Sequence, residues 1–112
     1  MTNPKTIVLA NRSEVTDSLT GDKTVIAIQK TRIIADVGLV GLKTKEYGLS
    51  RNLNFTATIE INRRLYSNQE FLAYEDTLYR ITDTAKGSMD SKMKLNITLA
   101  EVDNEFMQSM LS

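Results

Sequence analysis

The strict alternation of apolar and polar residues over 55–63 (FTATIEINR) constrains the fold more strongly than any other feature of the chain. Successive side chains of a β-strand point to opposite faces, whereas an α-helix repeats its apolar face every three to four residues. Residues 55–63 therefore predict a strand with one face in a core and one face in water. The apolar face consists of Phe55, Ala57, Ile59 and Ile61.

Five further segments have strand character, because they alternate in the same way or are rich in β-branched residues. These segments are 6–13, 24–37, 70–74, 78–82 and 92–102. Much of segment 24–37 is apolar on both faces, which predicts a long central strand, bent near Lys30 to Arg32. Segments 70–74 and 78–82 flank Glu75-Asp76-Thr77, which predicts a tight hairpin.

Residues 38–54 (GLVGLKTKEYGLSRNLN) interrupt this β pattern with three glycines. Leu39, Leu42, Glu46 and Leu49 lie three or four residues apart, which favours one or two turns of helix. We therefore predict a mainly β fold. The predicted architecture is a small antiparallel β-barrel of five to six strands, with one short helix and a flexible loop between the second and third main strands.

The length of 112 residues is sufficient for one domain. We assign residues 1–105 to a single β-barrel domain and residues 106–112 to a C-terminal tail. Because fewer than about twelve residues rarely hold a helix alone, we expect this tail to be frayed or to gain order from a partner. Its apolar residues, at near-helical spacing, are Phe106, Met107, Met110 and Leu111.

The chain contains no cysteine, histidine or tryptophan. Their absence excludes cysteine nucleophiles, histidine bases, disulfides and thiolate or imidazole metal sites. Glu75-Asp76 is the best carboxylate pair, but carboxylates at a turn face water and lack the buried surroundings that shift a pKa for catalysis. We predict that the chain is not an enzyme and has no cofactor or metal.

Charge and hydropathy also limit the partners. The 14 basic and 14 acidic side chains balance, so no global field draws the chain toward nucleic acid or an anionic membrane. The N-terminal residues MTNPKTIVLANR lack the apolar core of a signal peptide, and no apolar run approaches about 20 residues. These features predict a soluble, non-secreted chain with no membrane partner.

A series of short motifs accompanies the predicted strands. It comprises a D-x-x-T-G loop (Asp17–Gly21), R-x-x-A-D-V (Arg32–Val37), Glu46-Tyr47, x-F-x-A-x-I (Asn54–Ile59), Leu65-Tyr66, Y-x-g-x-x-Y-x-I (Tyr74–Ile81) and a closing strand (Leu95–Glu101). This order resembles the small head-closure proteins of long-tailed bacteriophages, also called head-tail connector or stopper proteins. The resemblance extends from about Ile7 to Glu101. The chain departs from the family at Glu75-Asp76, where a glycine is commoner, and in the acidic tail.

The resemblance implies a structural virion protein without catalysis. Such a protein forms a homo-oligomeric ring at the head-tail junction, closes the DNA-filled capsid and offers a docking surface for the tail. The implied partners are the portal or adaptor protein, a tail-completion or tail-terminator protein, and packaged double-stranded DNA that passes through the channel. The implied location is the neck of the virion, after synthesis in the bacterial host cytoplasm.

The resemblance also implies roles for particular residues. In the family, the segment between the second and third strands can constrict the channel. The corresponding channel-gating loop here would contain Gly38, Gly41, Lys43, Lys45, Gly48 and Arg51. The predicted subunit or partner contacts are Tyr66, Tyr74, Tyr79, Phe106, Met107 and Met110.

Two alternatives stay open. The first is a tail-terminator or tail-completion protein of the same neck region, which the sequence barely separates from a head-closure protein. The second is a small OB-like or SH3-like barrel that binds nucleic acid or a peptide. Its signal is a set of basic residues near Tyr47 and Tyr66, the mixture that single-strand binders use, although on a small β domain such residues usually form a solvated face. These residues are Lys43, Lys45, Arg51, Arg63 and Arg64.

Overall fold

The computed structural model describes residues 4–38, 46, 49–51 and 55–112. Within this part of the chain, the strands are β1 (Pro4–Thr16), β2 (Lys23–Gly38), β3 (Ala57–Asn62), β4 (Phe71–Tyr74), β5 (Thr77–Lys86) and β6 (Lys92–Leu99). A 3-10 helix (Arg63–Leu65) comes after β3, and helix α1 (Asn104–Leu111) comes after β6. The antiparallel order β1-β2-β3-β6-β5-β4 closes into a barrel, because β4 pairs with β1. The predicted small antiparallel β-barrel is confirmed.

The interior of the barrel is filled by the alternating side chains that share one face of each predicted strand. Ile59 and Ile61 of β3 are buried there, together with Leu95 and Ile97 of β6. Burying one such side chain contributes about 1.5–3 kcal/mol, so the alternation itself specifies which face of each strand turns inward. The other members of this inner core are Ile7, Leu9, Ala35, Leu72 and Met93.

A second core lies outside the barrel, between helix α1 and the outer faces of β1 and β4. Phe106 and Met110 of the helix are fully buried against these strands. The Phe106 ring meets the Phe71 ring edge-on, with centroids 5.0 Å apart and planes at 76°. The other buried residues of this outer core are Val8, Ala10, Phe71, Ala73 and Leu78.

The C-terminal residues differ from the expectation of a frayed tail. They form helix α1, which begins at Asn104, inside the segment assigned to the barrel domain. The Asp103 carboxylate caps the helix by accepting a hydrogen bond from the Phe106 backbone N–H at 3.1 Å. Eight residues do not hold a helix by propensity, but Phe106 and Met110 supply the tertiary packing that does. The partner that orders this segment is the chain's own barrel.

Helix α1 also covers an edge of β2. The backbone N–H of Val25 donates to Glu105 Oε1 at 3.1 Å, and that of Ala27 donates to Ser109 Oγ at 2.7 Å. Lys30 Nζ donates to the carbonyl oxygen of Ser109 at 3.1 Å, near the negative end of the helix. Unpaired strand edges invite pairing with other chains, and here helix side chains occupy two of the exposed donors.

The predicted channel-gating loop lies mostly outside the described residues. This is the case for Gly41, Lys43, Lys45 and Gly48. Gly38, which was expected to open the loop, is instead the last residue of β2 and pairs with Thr58 of β3. Arg51 lies in an exposed turn. In the segment for which a short helix was predicted, Glu46 and Leu49 have helical backbone.

Candidate interaction surface

The hairpin formed by β1 and β2 extends past the rest of the barrel. Beyond Ala10, β1 pairs with β2 alone, and β2 pairs with β3 only through its last three residues, Asp36–Gly38. The molecule accordingly measures 51 Å along its longest axis and only 28 and 22 Å across. The hairpin therefore carries its tip away from the inner core, where it adds nothing to that core's burial.

Local hydrogen bonds order the backbone at the tip of this hairpin. The Asp17 carboxylate accepts hydrogen bonds from the backbone N–H groups of Leu19 at 2.8 Å and Thr20 at 3.4 Å. The backbone N–H of Gly21 donates to the Asp17 carbonyl at 2.8 Å, and Gly21 has a φ of 75°, which favours glycine. The loop so formed presents Leu19 to solvent with 94 % of its surface exposed.

An open cleft of about 560 Å³ lies beside the N-terminal end of helix α1. Its apolar lining includes Phe71 and Leu78, with Leu99 and Val102 at the surface, 67 % and 86 % exposed. The guanidinium of Arg80 lies 4.9 Å from the centroid of the Phe71 ring and has no carboxylate partner among the described residues. Because Arg12, Glu101 and Asp103 also line it, the cleft has a mainly polar lining, with exposed apolar side chains at Leu99 and Val102 and a positive charge at Arg80 that remains available.

A charge network closes one side of the cleft. Arg12 Nε donates to Asp103 Oδ2 at 3.0 Å, and Arg12 Nη1 donates to Glu14 Oε1 at 3.1 Å. These two hydrogen bonds, the one to Asp103 first, raise the pKa of Arg12. Because Asp103 also caps helix α1, Arg12 links β1 to the start of the helix. Sequence reasoning predicted neither this junction nor the cleft, since their residues are far apart along the chain.

The six predicted contact residues have different environments. Tyr74 and Tyr79 pack against the inner core with ring centroids 6.2 Å apart. Tyr66 is half-buried, its hydroxyl donates to the Gln69 carbonyl at 3.2 Å, and burial raises its pKa. Phe106 and Met110 lie in the outer core, so in this structure they contact the barrel and are closed to a partner. The sixth, Met107, packs at the edge of that core.

The Glu75-Asp76 step forms the two-residue turn between β4 and β5. Tyr74 pairs with Thr77 across it, and the φ angles of Glu75 and Asp76 are 47° and 59°. Two successive left-handed residues define a type I′ turn, which usually contains Asn-Gly. Both side chains are exposed, and Lys5 donates to Glu75 at 3.0 Å, a hydrogen bond that raises the Lys5 pKa. The two carboxylates therefore lie in an exposed hairpin turn, as the sequence around them predicts.

Replacing Asp76 by glycine should stabilise the protein. A non-glycine residue in the left-handed region costs about 1–2 kcal/mol, part of which the extra freedom of glycine in the unfolded chain offsets. We expect Asp76→Gly to raise the free energy of unfolding by about 0.5–1 kcal/mol in urea denaturation. Asp90→Gly, at an exposed loop position without a positive φ, is the matched control and should give no gain. Equal effects of the two variants would contradict the strained turn.

The described side chains offer little for acid-base or metal chemistry. In this part of the chain, the buried polar residues are two amides, Gln69 and Asn96, and no group of three or more histidines, cysteines or carboxylates is placed to hold a metal ion. Glu60 accepts hydrogen bonds from the backbone N–H and the hydroxyl of Ser88 at 2.8 and 2.9 Å, which lower its pKa. The Glu60 carboxylate therefore ties β3 to the β5–β6 loop.

The chain matches no protein-family model, no curated protein and no solved structure. No helix in the described ranges is long and apolar enough to cross a membrane. The surfaces of the molecule are therefore the guide to its function. The most distinctive of these is the tip at Leu19, which the sequence signals as a lone apolar residue in the polar loop DSLTGD.

Proposed function

We propose that the chain is a structural protein of the neck of a tailed bacteriophage, of the head-closure type. It forms a homo-oligomeric ring below the portal or adaptor protein, closes the DNA-filled capsid and offers a surface to the tail-completion or tail-terminator protein. The order of sequence motifs from about Ile7 to Glu101 suggests this family.

The projecting β1–β2 hairpin is the observation that carries the proposal. A monomer gains nothing from a tip whose hydrogen bonds hold Leu19 in water. An assembly gains from it, because a loop whose backbone is already ordered by hydrogen bonds loses less conformational freedom when its apolar side chain contacts a neighbour. A contact in which a projecting element of each subunit reaches a different surface of the next subunit is heterologous, and it produces a closed ring when the rotation closes.

The charge balance supports the role of a channel wall. A protein that neutralises many phosphates binds DNA tightly and would hold a polymer that has to move. With 14 basic and 14 acidic side chains, a ring of this chain has no net charge to retain the DNA. The predicted gating loop, without Gly38 and so within residues 39–54, is then the part that constricts the channel.

The location of the chain in particles tests the proposal. In particles of the phage that encodes the chain, mass spectrometry and electron microscopy should place it as a ring at the head-tail junction. Presence only on detached tails would make it a tail-terminator protein and overturn the head-closure role. A chain absent from particles that binds oligonucleotides with steep salt dependence would sink the connector function altogether.

The gating loop is tested by shortening it between the ends of β2 and β3. Deleting residues 41–45 should leave the ring assembled, because Gly38 and Thr58 still pair, but packaged DNA should leak from filled heads. DNA retention is measured by protection from added nuclease. Met89→Ala, at an exposed position in the β5–β6 loop, serves as the control. Full protection in the deletion variant would argue against a gate in this segment.

A further inference from the structure

The tip of the β1–β2 hairpin has the chemistry of a docking group. Leu19 is held outward between two carboxylates, Asp17 and Asp22, and Lys23 comes directly after them. Asp17 Oδ1 accepts from the Leu19 and Thr20 N–H groups within the loop, whereas the Asp22 side chain has no partner among the described residues. The tip therefore offers an apolar side chain flanked by two carboxylates, with one lysine directly after them.

The cleft beside helix α1 presents two exposed apolar side chains, Leu99 and Val102, next to an arginine that forms no ion pair with a described residue. Leu99 and Val102 are the exposed apolar side chains of the lining, which is otherwise mainly polar, and a volume of about 560 Å³ leaves room for a leucine. At the rim, Arg80 is free of ion pairs within the described ranges, whereas Arg12 is already neutralised by its two carboxylate partners. Glu101 on the same rim is the counterpart of the lysine beside the tip.

The tip cannot fill the cleft of its own chain. Arg12 lines the cleft, and from Arg12 to Thr16 strand β1 runs on in register with β2. At about 3.3 Å per residue, these four steps carry the tip about 13 Å beyond Arg12, before the loop begins. Folding the tip back would break the pairing of the hairpin. A tip that fills this cleft therefore comes from another copy of the chain.

We propose that the hairpin tip of one copy docks in the cleft of a second copy. Leu19 inserts between Leu99 and Val102, and the carboxylate of Asp22 pairs with the guanidinium of Arg80. Because tip and cleft are different surfaces of the same chain, the contact is heterologous: each copy gives a tip and receives one. Repetition of such a contact produces a closed ring when the rotation closes. As the subunit contact of the ring, this inference rests in part on the proposed function.

Cysteine crosslinking tests the contact directly, because the chain has no cysteine of its own. Leu19→Cys and Val102→Cys are purified separately, mixed and oxidised. We expect covalent heterodimer at least tenfold above the amount formed between Leu19→Cys and Met89→Cys. Met89 is exposed but lies in the β5–β6 loop, at the opposite end of these strands from the cleft. Equal crosslinking in the two mixtures would overturn the proposal.

Charge and polarity variants provide a second measurement. Leu19→Asp changes a side chain without a folding role, so it should unfold like the wild type while its self-association, measured by sedimentation, requires at least tenfold higher concentration. Asp22→Arg and Arg80→Asp should each weaken association, and their combination should restore it by reversing the pair. A double variant no better than either single variant would contradict the pairing.

The outcomes separate this contact from the proposed function. A chain that crosslinks through tip and cleft but is absent from phage particles would support the proposed contact and contradict the proposed neck function. A neck ring that forms normally with Leu19→Asp would support the proposed neck function and contradict the proposed contact.

Discussion

Replacing Phe106 by alanine should lower the free energy of unfolding by about 3–5 kcal/mol, measured by urea denaturation. The ring is 0 % exposed and lies edge-on against Phe71 in the outer core. Its loss leaves a cavity between helix α1 and the barrel, and it removes the main anchor of a helix too short to form alone. The outer faces of β1 and β4 would then be exposed to water, so binding of a hydrophobic dye should increase.

Gln108→Ala is the matched control for this variant. Gln108 lies on the exposed face of the same helix, and alanine has the higher helix propensity, so stability should change by less than about 0.5 kcal/mol. If Phe106→Ala cost no more than Gln108→Ala, the helix would not be docked in solution, and the tail would be frayed, as its sequence predicts.

Replacing Gln69 by alanine should cost about 2–4 kcal/mol, although the residue lies in a loop rather than in a strand. Its side chain is 1 % exposed. The amide Nε2 donates to the Gln29 carbonyl at 3.0 Å, and the amide oxygen accepts from the Ser67 backbone N–H at 2.7 Å. Alanine leaves both backbone groups without these partners in a site that water reaches poorly.

The Gln29 carbonyl needs this partner because of a β-bulge. Leu9 pairs with Thr31 and Asn11 with Ile28, so Gln29 and Lys30 lie opposite a single residue of β1. Gln29 has a φ of 53°, in the left-handed region. A bulge bends its strand and increases the local twist, and this one lies beside the bend that the sequence predicts near Lys30 to Arg32. Gln69 therefore stabilises the bend from which the β1–β2 hairpin extends.

Gln69→Glu provides a test by pH. At neutral pH its carboxylate would face the Gln29 carbonyl, so the folded state raises the pKa of the new carboxyl. The protonated acid can donate to that carbonyl and still accept from Ser67. The hydrogen bond from the protonated carboxyl stabilises the protein fully below the pKa of this carboxyl in the unfolded chain, about 4.3. This stabilisation is lost as the pH rises through the higher pKa of the carboxyl in the folded chain. Stability measured relative to Gln69→Ala should therefore improve on acidification. A pH-independent difference would contradict the role of Gln69 as a donor.

Much of the barrel could be predicted because period-two alternation has a single structural consequence. The segments predicted over 55–63 and 92–102 contain β3 and β6, and the hairpin predicted around Glu75-Asp76 joins β4 to β5. The strand ends were less well predicted, since β5 runs to Lys86 through residues that are mostly polar. Composition and alternation indicate which side chains are buried, but they do not indicate the residue at which two strands stop pairing.

The outer core shows a signal that was present but ambiguous. Residues 7–10 (IVLA) and 71–73 (FLA) are apolar without alternation, because one face enters the barrel and the other lies under helix α1. Such runs predict a strand covered on both sides. They do not reveal what covers it, and the segment that does so, Asn104–Leu111, is too short to predict as a helix by its own propensity.

Local sequence was sufficient for the fold class, for the presence and order of the strands and for the β4–β5 turn, because side-chain alternation and turn chemistry act between residues close together in the chain. Tertiary contacts were required for everything that joins distant segments. The docking of Phe106 on β1 and β4, the support of the bulge by Gln69 and the cleft around Arg80 all unite residues that the sequence separates by long intervals. Closure of the barrel brings β4 against β1, so that Phe71 of β4 lies where Phe106 of the last helix packs on it.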